Sequence, residues 1–211
     1  MADVIVLYDG YSILSDTYEM KANCSCVLIK GIHNIIVDTM TPWDANKIIS
    51  ALTKHGLTAE NIDYVISTHG HSDHIGNNNL FLKAKHIVGF SISFQDNYYI
   101  HPFDEGKEFI IDEHVKVLPT PGHTLSDVSV LVTNPENVVI AVTGDLFEKF
   151  EDIADPSLWI QAGSEDQLKQ RRNRSQISEL AEWIIPGHGP KFKVTDEIRK
   201  ILREQIEKQI F

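Results

Sequence analysis

The chain has 211 residues, 42% of them hydrophobic and 23% charged, which suits one globular domain (1–211) with a real core and excludes a disordered or fibrous chain. No apolar run approaches the ~20 residues of a membrane span. The opening Met1-Ala2-Asp3-Val4 lacks the basic and apolar regions of a signal peptide. A cytoplasmic location away from membranes is therefore expected, with the nucleus left open. The formal net charge of −11 weighs against sequence-independent binding of a polyanion, although two bound dications would reverse the local potential.

Val4 to Tyr8 reads as the first strand. Asp9-Gly10 is a turn signal, and Ile13 to Glu19 is expected to pair back as a hairpin. Cys24 to Lys30 and Asn34 to Val37 form the next hairpin around Gly31. The two cysteines, Cys24 and Cys26, would sit ~6.5–7 Å apart at Cα in a strand, at or beyond the disulfide limit, and read as reduced thiols. Asp38 ends its strand. Thr41-Pro42-Trp43-Asp44 looks like a helix start, with Thr as cap and Pro at the first helical position. Ile48, Ile49 and Leu52 give that helix an apolar face, and Gly56 would end it.

Asp63 to Ser67 is a short buried strand, and it runs into Thr68-His69-Gly70-His71-Ser72-Asp73-His74. Three imidazoles and a carboxylate within six residues are metal-ligand chemistry, suited to zinc, iron and similar borderline ions. Asn77 to Phe81 predicts a short helix and His86 to Phe90 a strand. Phe94, Tyr98, Tyr99 and Phe103 make an aromatic stretch that reads as a pocket wall, as core or as a dimer contact. His33, His55, His86, His101 and His114 lack ligand-type neighbours and read as non-ligands.

Phe109 to Ile111 and Val115 to Leu118 are strands, the second leading to Pro121-Gly122-His123-Thr124. Val128 to Val132 and Val138 to Val142 form a hairpin around Asn134-Pro135 and lead to Thr143-Gly144-Asp145-Leu146. Phe147 to Gly163 shows no periodicity and reads as a loop able to select substrate. Ser164-Glu165-Asp166-Gln167 matches a capping box, so a helix is expected from about Glu165 to Glu182. Its Lys169, Arg171, Arg172 and Arg174 read either as a solvated face or as a phosphate-binding strip. Trp183-Ile184-Ile185 leads to Pro186-Gly187-His188-Gly189, and a last helix starts near Thr195, with Ile198, Ile201, Leu202 and Ile206 on one side.

The ordered set His69-x-His71-x-Asp73-His74, His123, Asp145 and His188 resembles the metallo-β-lactamase superfamily of metal hydrolases. The resemblance implies a four-layer αββα sandwich, two mixed sheets face to face with helices outside. It also implies two divalent metals, zinc first, with iron or manganese as alternatives. His69, His71 and His123 would hold one; Asp73, His74 and His188 would hold the second; Asp145 would bridge them. Asp73 would also orient the attacking water or carry its proton, and Asp38 would support the metal loop, its other reading being a turn former.

The chemistry implied is metal-assisted hydrolysis. A small animal branch of the superfamily, which the chain resembles through Thr68 to Asn77, Thr120 to Thr124 and Gly144 to Phe147, implies endoribonuclease activity on pre-mRNA such as histone transcripts. The alternatives are a thioester or ester hydrolase resembling glyoxalase II, and a non-catalytic binding protein that keeps its metals for folding. Substrate contacts are sought among Tyr98, Tyr99, Lys169 and Arg172. A homodimer is expected, because the aromatic stretch needs cover.

Overall fold

The computed structural model describes residues 2–14 and 19–207. Among them the first sheet takes β1 (Asp3–Tyr8), β4 (Cys26–Lys30), β5 (Asn34–Val37), β6 (Tyr64–Ser67), β7 (Lys85–Val88), β8 (Ser91–Phe94) and β9 (Asn97–Tyr99), in that order. The second takes β10 (Phe109–Ile110), β11 (Val115–Pro119), β12 (Val128–Thr133), β13 (Val139–Gly144), β14 (Trp183–Pro186) and β15 (Phe192–Lys193). Both are mixed: β5–β6, β6–β7 and β13–β14 pair in parallel, their other pairs antiparallel.

Side-chain alternation sorts these strands into layers. Val27, Ile29, Ile35, Val37 and Ile66 of the first sheet share one buried cluster with Val117, Val128, Val130, Val132 and Val142 of the second. The alternate residues face the helices. Leu28, Ile36 and Val65 meet Ile48 and Leu52 of α1 (Ala45–Lys54). Leu131, Ala141 and Ile184 meet Ile177 of α4 (Gln167–Leu180) and Ile198 and Leu202 of α5 (Asp196–Glu207). Central strands are thus buried on both faces, which is why they read as unbroken apolar runs. The expected four-layer αββα sandwich is the observed one.

Helix α1 follows a 3₁₀ turn over Pro42–Asp44. The Thr41 hydroxyl donates to the Asp44 carboxylate instead of capping a backbone N–H. Beyond Lys54 the chain turns at Gly56, φ +73°, where the Leu57 N–H closes on the Leu52 carbonyl at 3.0 Å.

Several expectations need correction. Tyr11–Leu14 (β2) does not pair back onto β1; it pairs with Met20–Asn23 (β3) as a separate two-stranded ribbon. The first strand's pairing edge is taken by β4. Residues 15–18 of the expected Ile13–Glu19 element lie outside the described residues. The stretch from Phe147 to Gly163 is not loop throughout. It holds a 3₁₀ turn at Phe150–Ile153 and α3 (Ser157–Ala162), anchored by the fully buried Trp159. Helix α4 is capped by Asp166, whose carboxylate accepts the Lys169 N–H at 2.9 Å, so it starts at Gln167, not Glu165. Ser164 instead donates to the Gly122 carbonyl.

Candidate metal centre

The ligand-type residues sit on loops leaving the same end of both sheets. From the first sheet, β6 runs into Thr68-His69-Gly70-His71, and a single helical turn, α2 (Ser72–Ile75), carries Asp73 and His74. From the second, His123 follows β11, Asp145 follows β13 and His188 follows β14. The loop packing is tight. A Cβ at Gly187 would run into the Asp145 carboxylate, and one at Gly122 into the backbone of Gln170 on α4.

Two groups form. His69 Nε2 lies 2.8 Å from His71 Nδ1, which lies 3.1 Å from His123 Nε2. His69 Nε2 and His123 Nε2 are 3.6 and 3.4 Å from Asp145 Oδ2. On the other side, His74 Nε2 and His188 Nε2 are 3.2 and 3.3 Å from Asp145 Oδ1. Asp73 Oδ2 stands 4.0 and 3.8 Å from the same two nitrogens. Asp145 therefore lies between the two groups: Oδ2 faces His69 and His123, Oδ1 faces His74, and His188 Nε2 is 3.3 Å from both oxygens.

The other imidazole nitrogens are fixed from behind. His74 Nδ1 donates to Asp38 Oδ2 at 2.9 Å, and Asp38 Oδ1 accepts the Thr68 N–H at 2.8 Å. His123 Nδ1 donates to the Gly163 carbonyl at 2.7 Å. His188 Nδ1 faces the carbonyls of Asn23 and Tyr11 at 3.1 and 3.2 Å. These contacts fix the ring orientation and turn each Nε2 toward Asp145, the arrangement in which metal-ligating histidines are held from behind. His69 Nδ1 lies 3.2 Å from the Thr68 hydroxyl, and His71 alone faces the group through Nδ1.

Divalent metals fit this arrangement. Among the described residues, His74 Nε2 and Asp145 Oδ1 are buried without a hydrogen-bond partner, a costly state unless a cation meets them. A proton between two imidazole nitrogens satisfies one pair at a time, whereas one cation satisfies the three converging nitrogens together. Two of the four candidate ligand groups among the described residues take in all seven expected ligands: His69, His71, His123 and Asp145, and Asp73, His74 and His188; the others are Cys24, Asp38 and His74, and Asp145, Glu148 and His188. Nitrogen and carboxylate donors in these numbers suit zinc, iron or manganese.

The charges around Asp145 are uneven. Burial pushes the His69 and His123 imidazoles below their ordinary range, only partly opposed by Asp145. Burial acts on His74 and His188 too, but Asp145 outweighs it; with Asp38 it holds His74 well above the usual range, and His188 rises to about 9. Burial would raise Asp145, yet His74 and His188 hold it well below the carboxylate range. Asp145 is thus an anion that every facing imidazole shares.

The centre opens to solvent through a cleft of about 150 Å³, lined by Ser12, Met20, Ala22, His71, Asp73 and Ala162 among others. None of Tyr98, Tyr99, Lys169 and Arg172 lines it. Tyr98 and Tyr99 are exposed on the edge strand β9, with Lys85 over the Tyr99 ring. Lys169 and Arg172 line a separate depression behind the His123 loop, with Phe90, Pro121 and Leu125. The four basic residues of α4 do not form a strip: Arg171 and Arg174 turn inward, Arg174 onto Asp152 at 2.6 Å with both side chains fully buried. His33, His55, His86, His101 and His114 belong to none of the candidate metal groups among the described residues.

Two contributors escaped the sequence reading. Asp127 accepts the N–H groups of Gly122 and Thr124 at 3.1 and 2.7 Å and the Thr124 hydroxyl at 2.7 Å, pinning the turn that presents His123. Glu148 is buried beside His188. A carboxylate four residues beyond a candidate ligand, or three, is a usable signal once the turn geometry is known, but no periodic pattern marks it.

A family model for the metallo-beta-lactamase superfamily matches residues 21–188. Metallo-beta-lactamase domain-containing protein 1 of Xenopus laevis is 39% identical over 194 residues, 90% of this chain and 81% of that protein. The protein of the same name from Homo sapiens is 38% identical over 165 residues, 77% of this chain and 60% of that one. The chain thus matches less than two thirds of the length of the human relative. Among solved structures, the metallo-beta-lactamase FIM-1 of Pseudomonas aeruginosa, in its mono-zinc form, has a TM-score of 0.65 at 18% identity. That match covers 94% of this chain and 89% of that one, a likeness of fold.

Proposed function

The chain belongs to the metallo-β-lactamase superfamily of metal-dependent hydrolases, and from that premise we propose that it is a two-metal hydrolase acting on a phosphodiester, with RNA as the substrate class. The observation that carries the two-metal part of the reading is Asp145, which lies between the two groups of imidazoles with its carboxylate oxygens 3.2 to 3.6 Å from the Nε2 atoms of His69, His123, His74 and His188. His69, His71 and His123 would hold the first cation, for which zinc is proposed, and Asp73, His74 and His188 the second.

Bound there, two divalent cations would supply a water of lowered pKa and Lewis acidity for the scissile bond. The chain's own residues do the rest. Asp38 and the Gly163 carbonyl hold the donor tautomers of His74 and His123. Asp73 lines the cleft, so its carboxylate can take up the proton of the attacking water or pass it to the leaving group. His71, the exposed member of the cluster, stands at the mouth.

A second reading, hydrolysis of a small ester or thioester, is favoured by the cleft lining, which contains Ser12, Met20, Ala22 and Ala162 and no lysine or arginine. Labelled histone pre-mRNA and a glutathione thioester, incubated with metal-loaded protein and with His123→Ala, separate the two. RNA cutting lost in His123→Ala supports the nuclease; thioester turnover alone transfers the proposal to the second reading. A non-catalytic role would leave every substrate intact.

A homodimer through the edge at Tyr98, Tyr99 and Ile100, all exposed, belongs to the same proposal, as does a cytoplasmic or nuclear location. No helix among the described residues is long and apolar enough to cross a membrane. A monomer mass by light scattering would remove the dimer.

A further inference from the structure

Glu148 has no role in the seven-ligand arrangement, yet it sits against it. It is 3% exposed and lines the metal cleft. Its Oε2 is 3.9 Å from His188 Nε2, and its Oε1 is buried with no hydrogen-bond partner among the described residues. Asp145, Glu148 and His188 each offer a ligand atom, and these atoms lie within 4.8 Å of one another.

The backbone fixes this position. The Glu148 N–H donates to Asp152 Oδ2 at 2.8 Å, and the His188 N–H donates to the Glu148 carbonyl at 2.7 Å. The backbone that carries this side chain is therefore held beside His188. A buried carboxyl next to another carboxylate is expensive unless a cation neutralises both. Two ligands on one ion at ~2.1 Å lie ~3 to 4 Å apart, a range that includes the observed His188–Glu148 separation.

We infer that Glu148 is a further ligand of the second metal position, joining Asp73, His74, His188 and Asp145. This rests on the two-metal reading above. Five protein donors exceed what four-coordinate zinc takes with a water. Three carboxylates among them would make the position richer in oxygen and, with a water, would suit six-coordinate manganese(II) or iron(II), whereas the first position, with three imidazoles, would suit zinc. The centre is thus asymmetric.

The test uses the full chain, stripped of metal, given one equivalent of ZnCl₂ and titrated with MnCl₂, with free manganese read by electron paramagnetic resonance. Glu148→Gln and Glu148→Ala are expected to bind manganese at least tenfold more weakly than wild type while holding the zinc equivalent as tightly. Variants within threefold of wild type would overturn the inference. If wild type takes up no second metal of any kind, the two-metal reading itself fails. A second zinc bound with manganese affinity indifferent to Glu148 sinks only this inference. Cobalt(II) in the second position of wild type supplies a readout that needs no variant. Weak six-coordinate absorption is expected, and an intense tetrahedral spectrum would contradict it.

Discussion

Asp38 holds the metal loop at two points. One oxygen takes the Thr68 N–H and the other the His74 Nδ1–H, and the backbone accepts a left-handed φ of +57° to put it there. Removing the carboxylate frees the His74 ring to rotate and to change tautomer. Asp38→Ala is therefore expected to weaken binding at the second position by ~10–100-fold, with the first position less affected; chelator competition measures both. Protons compete for the same lone pairs. With His74 held above its ordinary range and His188 at about 9, metal entering the second position must expel protons even at neutral pH. His69 and His123, pushed down by burial, are already neutral. Acidification should therefore empty the second position first. Titration in weak buffer should show more protons released by the second equivalent of metal than by the first; equal release would refute this order.

At the scale of elements, the segment after β13 couples helix α4 to the centre. Asp152 receives Arg174 and the Glu148 N–H on the same carboxylate. Removing one partner of so buried a pair leaves an uncompensated charge, so Asp152→Ala and Arg174→Ala should each cost ~3–5 kcal/mol, read by denaturant unfolding. Arg174→Met combined with Asp152→Leu should recover most of that loss. Gly187→Ala should fold but lose metal, since its methyl occupies the place of the Asp145 carboxylate; retention of full metal content would contradict the packing. The ligands were legible because each stands in a short turn after an apolar run, and the order of those turns carried the fold. Three features were not. Tyr11–Leu14 pairs with the more polar Met20–Asn23 and not with the apolar β1, whose edge β4 takes from a distant part of the chain. The inward turn of Arg171 and Arg174 depends on Trp159 and Asp152 from an aperiodic stretch. Glu148 matters only once His188 arrives 40 residues later (188 − 148).

Across the whole molecule, the centre joins two sheets. His69, His71, Asp73 and His74 leave the first, and His123, Asp145 and His188 leave the second. A metal that binds only the folded chain clamps them together and adds ~2.7 kcal/mol of stability at a free concentration a hundredfold above its dissociation constant. Chelation should therefore lower Tm by ~5–10 °C for a chain of this length, and added metal should restore it. The most direct measurement is the metal content of purified wild-type protein and of Asp145→Ala by elemental analysis, with circular dichroism confirming the fold. Close to two divalent ions per wild-type chain, falling to one or fewer in Asp145→Ala, is the expected result. One ion or none in wild type, or two retained without Asp145, would contradict a two-metal centre built on that carboxylate.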